Sequence, residues 1–136
     1  MDELRKLDYF SMEVANKAGE GAACLKALKD AGVNLLAFTG FPSGRKAQVD
    51  FIPEDAAQLK AVAKKNKWKL SARKTVFLVQ GEDRLGAIYD VIGKLAEAKV
   101  SITALDAMSA GSGRYGAMFW VKPQDVAKAS RILGVK

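Results

Sequence analysis

The chain repeats itself. Shifted by 67 residues, Gly19 falls on Gly86, Cys24-Leu25 on Val91-Ile92, Leu28 on Leu95, Ala31 on Ala98 and Val33 on Val100. With three further residues in the second half, Pro53 and Asp55 fall on Pro123 and Asp125. A repeat of this period fixes the architecture as two copies of one small unit before any single residue is weighed. The expected division of the 136 residues is 1–73 and 74–136. Units this small bury little apolar surface and are only marginally stable alone, so the copies should pack together and the chain should form a dimer.

The residue types exclude several chemistries. There is no histidine, which removes the commonest general base and the commonest transition-metal ligand. Cys24 is the single cysteine, so neither an intrachain disulfide nor a thiolate cage for a metal can form. Glu82 and Asp83 read as helix N-terminal charge rather than as a catalytic pair. No catalytic residue, metal or cofactor is expected. No apolar run approaches the roughly 20 residues of a membrane helix, and Met1-Asp2-Glu3-Leu4-Arg5 is not the start of a signal peptide. The expectation is a soluble cytoplasmic protein. The net charge of +7 is spread over both halves, with one concentration at Lys60, Lys64, Lys65, Lys67, Lys69, Arg73 and Lys74. Such a run attracts nucleic acid or acidic partners, or is simply a solvated face; the solvated face is favoured.

Periodicity places the elements. Tyr9 to Val14 reads as a strand and residues 20–31, with Cys24, Leu25, Leu28 and Ala31 at helical spacing, as a helix stopped by Gly32. Val33 to Thr39 and Ala47 to Ile52 read as strands around the turn Phe41-Pro42-Ser43-Gly44. Pro53-Glu54-Asp55 opens a helix, and Trp68 to Ser71 reads as a closing strand. The second half repeats the order: a strand at Thr75 to Val79, a turn at 81–86, and a helix with Ile88, Val91, Ile92 and Leu95 inward. Strands follow at Val100 to Ala107 and Tyr115 to Val121, then a helix from Pro123 with Val126, Ala129, Ile132 and Leu133 inward. The fold class is α+β: two tandem ferredoxin-like βαββαβ modules, antiparallel sheets with helices on one face, the last strand of the second module missing. At the 67-residue shift Asp2–Lys6 aligns with Lys69–Arg73. Either the N-terminal segment or residues 67–73 should therefore fill the open edge of the second sheet, since an unpaired edge invites foreign strands.

Gly81-Glu82-Asp83-Arg84-Leu85-Gly86-Ala87 leads into a helix ending Leu95-Ala96-Glu97-Ala98-Lys99, followed by Val100-Ser101-Ile102. This resembles the ACT domain: a strand, an Asp-Arg-Pro-Gly turn, a helix ending Leu-Ala-x-Ala-Gly, then Ile-Asn-Ile. Leu28-Lys29-Asp30-Ala31-Gly32-Val33-Asn34-Leu35 resembles the same helix end in the first copy, and Asn16-Lys17-Ala18-Gly19 is its looser turn. The resemblance covers most of the chain. It implies a non-catalytic regulatory sensor of an amino acid or similar metabolite, with ligand between the first β-α turn of one domain and the second strand or first helix of a neighbour. It also implies a regulated enzyme or transcription factor as partner. Helix N-terminal N–H groups suit a carboxylate, and glycine permits its close approach. Carried over position by position, the candidates are Asn16, Ala18, Gly19, Asn34 and Leu35 in the first copy. In the second they are Asp83, Leu85, Gly86, Ser101 and Ile102. Asn34 or Ser101 would accept a hydrogen bond from a ligand ammonium. Ala18 and Leu85 stand where the family often has proline, Ser101 where asparagine is usual, and Gly21 where the helix stripe has isoleucine. The two sites should therefore be unequal.

A second resemblance competes. Gly113-Arg114-Tyr115-Gly116-Ala117-Met118-Phe119-Trp120 and Val76-Phe77-Leu78-Val79-Gln80-Gly81 are similar to the aromatic signatures of RNA recognition motifs. RNA binding would require Tyr115, Phe119 or Phe77 on an exposed sheet face. A sensor would have that face covered.

Overall fold

The computed structural model describes residues 2–136. Its elements are β1 (Glu3–Ala15), α1 (Glu20–Asp30), β2 (Leu35–Ser43), β3 (Lys46–Pro53), α2 (Ala56–Lys65) and β4 (Lys74–Glu82). They continue with α3 (Ala87–Glu97), β5 (Ile102–Gly111), β6 (Arg114–Val121) and α4 (Val126–Leu133), the last entered through a 3-10 turn at Pro123–Asp125. This is the α+β, ferredoxin-like arrangement of ACT type. The chain gathers into two compact units, Asp8–Lys74 and Thr75–Lys136, the latter joined by the N-terminal segment through Leu7.

In the unit Asp8–Lys74 the strand order is β2-β3-β1. β3 runs antiparallel to both neighbours, with Phe10 opposite Phe51, Met12 opposite Val49 and Phe38 opposite Phe51. Period-2 alternation sends Phe10, Met12, Val49 and Phe51 to one face. There they meet Cys24 and Leu28 of α1 and Leu59 and Val62 of α2. Phe51 is fully buried, with Phe38 tilted against it at 5.5 Å and Trp68 stacked at 5.8 Å. The expected strand from Trp68 to Ser71 does not form. The Ser71 N–H reaches the Ser11 carbonyl at 2.8 Å, but the Ser11 N–H returns to Ser71 Oγ at 2.9 Å instead of to a carbonyl. The serine side chain takes the place of the backbone partner that would have continued a ladder.

In the other unit the order is β1-β4-β6-β5. Phe77 lies opposite Phe119 and Val79 opposite Ala117. Phe77, Val79 and Phe119 pack with Val91, Leu95 and Ala129 from the helices, and Leu4 packs against the same core. Arg5 donates to Gln80 Oε1 at 2.9 Å. The edge beside β4 is thus occupied by the N-terminal segment, the first of the two expectations, and not by residues 67–73.

Helix entry differs between the two helices of the first copy, whereas α3 and α4 of the second both lack a side-chain cap. α2 is capped by Asp55, whose Oδ1 accepts from the Ala57 N–H at 2.9 Å and the Gln58 N–H at 3.4 Å. α1 and α3 start from left-handed glycines, Gly19 at φ 91° and Gly86 at φ 73°, with no side-chain cap. A side chain at either glycine would be strained. The repeat therefore preserves two uncapped helix starts at equivalent places.

Candidate functional site

Each copy offers two clusters of candidate residues. Asn16, Ala18 and Gly19 form the exposed turn before α1. Asn34 and Leu35 follow the other end of that helix, where Leu35 enters β2 opposite Pro53. α1 has 11 residues, and at ~1.5 Å per residue its ends are ~16 Å apart. One unit by itself does not bring the two clusters together. The same holds in the second copy, where Asp83, Leu85 and Gly86 precede the 11-residue α3 and Ser101 and Ile102 follow it.

Asn34 is oriented. Its Nδ2 donates to Glu54 Oε2 at 2.9 Å, and the Glu54 N–H donates to the Asn34 carbonyl at 3.0 Å. With the amide nitrogen held, Oδ1 is left as the group's acceptor. Asn34 and Leu35 border a concavity of about 420 Å³ with Leu25, Lys29 and Gly32, within the range of small-ligand pockets. In the second copy Ser101 is exposed and Ile102 half-buried on its core. The Asp83 N–H is used by the Gly113 carbonyl at 2.8 Å. Leu85 stands wholly in solvent, and Tyr89, one turn on, is 74% exposed. Two large apolar side chains thus flank the α3 start, and periodicity did not single out Tyr89.

Arg84, inside this turn, escaped the sequence reading. Its guanidinium donates to Asp2 at 3.1 and 3.2 Å, to Asp90 Oδ2 at 2.9 Å and to the Glu82 carbonyl at 3.2 Å. The Arg84 bond holds the Asp2 carboxyl below its usual pKa despite some desolvation. No local pattern could reveal the pair, because its members stand 82 residues apart in sequence.

The RNA-binding alternative is overturned. Phe77, Tyr115 and Phe119 are 1%, 5% and 0% exposed, and all three lie in the core shared with α3 and α4. Alternation along β4 and β6 aims them at the helices, so none can stack on a base. In the first copy Asp50 is buried and held by Thr39 Oγ1 and Gln48 Nε2. Cys24 is also buried, and its thiol is pushed up by burial and then by Glu20, as for a structural cysteine. The lysine run is exposed; Lys60 lies 5.5 Å over the Phe10 ring and Arg73 faces Asp8 at 3.8 Å. Among the described residues no helix is long and apolar enough to cross a membrane, and no group of three or more acidic or cysteine side chains could hold a metal.

No protein-family model matches the chain, and no curated protein matches it in sequence. Solved structures match in fold. A protein from Bacteroides thetaiotaomicron superposes with a TM-score of 0.81 at 18% identity, over 96% of this chain and 88% of that one. The regulatory subunit of aspartate kinase from Thermus thermophilus, in ligand-free form, gives 0.62 at 11% identity, over 98% and 94%. A structure of aspartokinase α and β subunits gives 0.61 at 16% identity, over 97% and 93%. The fold is therefore shared with these structures, the regulatory subunit of aspartate kinase among them.

Proposed function

We propose that the chain is a cytoplasmic, non-catalytic regulatory sensor that binds an amino acid or similar small metabolite between ACT-like domains. The observation that carries this reading is the repeated uncapped helix start. α1 and α3 both start from a left-handed glycine, Gly19 and Gly86, with no side-chain cap; α2 is capped by Asp55, and α4 is uncapped but has no such glycine. A carboxylate from a ligand would supply the missing acceptor there. Asn34 Oδ1, and Ser101 in the other copy, would take the ammonium group. Because the two clusters of each copy lie ~16 Å apart along a helix, a complete site needs a second domain, from the same chain or from a second copy in a dimer. A regulatory role is supported by the likeness in fold to the aspartate kinase regulatory subunit. A ligand that prefers one arrangement of neighbours shifts the population toward it, and a regulated enzyme or transcription factor would read that shift.

The test is a thermal-shift screen of the twenty amino acids beside a short RNA pool. A ligand of the folded state raises Tm in a concentration-dependent way. One or a few amino acids should do so, and Asn34→Ala and Ser101→Ala should reduce the shift by unequal amounts. A shift from RNA with none from any amino acid would overturn the reading.

A further inference from the structure

The side chain of Asp2 sits in a built notch of the unit Thr75–Lys136. Its floor is Gly81: a Cβ there would run into the Asp2 carboxylate and stand 3.1 Å from the Tyr115 ring. Arg84 closes the notch with two nitrogens, each on one Asp2 oxygen, at 3.1 and 3.2 Å. The third wall is Tyr115, 5% exposed, whose buried hydroxyl stands beside the Asp2 carboxylate. Burial first, then the neighbouring Asp2 carboxylate, push that hydroxyl above its ordinary pKa, so it stays a neutral donor. The Asp2 side chain is only 11% exposed. A forked cation, a phenol and a missing side chain around one carboxylate make a complementary site.

We propose that Gly81, Arg84 and Tyr115 form a carboxylate receptor, filled by Asp2 of the N-terminal segment and open to a small free carboxylate when Asp2 leaves. Occupation by Asp2 latches the segment through Leu7 to its unit. A free carboxylate at the same place competes with the latch. Arg84 also holds Asp90 of α3 and the carbonyl of Glu82, so a change of occupant is felt at the turn carrying Asp83, Leu85 and Gly86. Only that last coupling rests on the amino-acid reading; the receptor itself does not.

The experiment empties the notch and offers it acetate. In the full chain carrying Asp2→Ala, acetate titrated against chloride of equal ionic strength should shift the NMR signals of the Tyr115 ring saturably and raise Tm. The wild type, whose notch is filled, should show a much weaker response, and Asp2→Ala with Arg84→Gln should show none. Equal responses in all three chains, or no response in Asp2→Ala, would overturn the proposal. Asp2→Asn keeps the shape and removes the charge, which guards against misfolding. It should speed amide exchange at Leu4 and Arg5 by roughly tenfold while leaving Phe51 unchanged. Unchanged exchange at Leu4 and Arg5 would also overturn it. The amino-acid screen on the wild type reads the sensor separately, so either idea can fail alone.

Discussion

Gly21 and Ile88 occupy the same place in the two copies, the second residue of α1 and of α3. Ile88 packs on the core of its unit. A Cβ added at Gly21 would meet nothing within 4 Å, and its φ is not in the left-handed region. Gly21→Ala should therefore raise stability by about 0.5–1 kcal/mol, through helix propensity and a less flexible unfolded chain. Urea denaturation would measure it, and a loss of stability would show that α1 is held by something the open space does not reveal. Asp2 gives a second residue-level expectation. Its carboxyl pKa is lowered in the folded chain, so its stabilisation is present in full above the ordinary carboxylate range and fades as pH falls through the lowered value. The stability gap between wild type and Asp2→Asn should be open at pH 7 and should shrink as pH falls below the ordinary carboxylate range. Single residues differed in legibility for a physical reason. Cys24 was readable as core because Val91 stands at its place in the repeat. The Gly81 notch was not, because its meaning depends on Asp2, which approaches only in the fold.

Among elements, α2 was the most legible. Pro53-Glu54-Asp55 announced its start, and Asp55 caps it. Asp55→Ala should cost about 1 kcal/mol, seen as a lower denaturation midpoint with unchanged slope. The least legible element was β1, expected over 9–14 and found over Glu3–Ala15. Its first residues mix Glu3, Arg5, Lys6 and Asp8 with Leu4 and Leu7, so no apolar alternation marks them. Leu4 belongs to one core and Phe10 to the other, and the charged stretch falls where the strand leaves one for the next. β5 was underestimated in the same way. It extends to Gly111 because β6 pairs with it that far, a partner effect that local propensity does not contain. Trp68–Ser71 failed in the opposite direction: β-favouring residues were present, but a serine hydroxyl took the backbone's bond.

At the scale of the whole molecule the repeat led to the expectation of two copies and a missing strand, while the identity of the replacement stayed open between two segments. The structure gives it to the N-terminal segment, which has a kinetic consequence. The unit Thr75–Lys136 needs residues on both sides of Asp8–Lys74 in sequence, whereas Asp8–Lys74 is continuous. Closing contacts of high sequence separation costs loop entropy before it returns any stability. The continuous unit should therefore fold first and the other should wait for the N-terminal segment to dock. Deleting residues 2–7 removes Leu4 from the core, Arg5 from Gln80 and Asp2 from Arg84. It also bares the edge of β4, an invitation to aggregation. The deleted chain should lose amide protection across Val79, Leu95 and Phe119 at a temperature where Leu28, Phe51 and Leu59 remain protected. Hydrogen exchange followed residue by residue would separate the two. Loss of protection in both groups at the same temperature would mean that the units unfold as one, and that the N-terminal segment is not what completes the second.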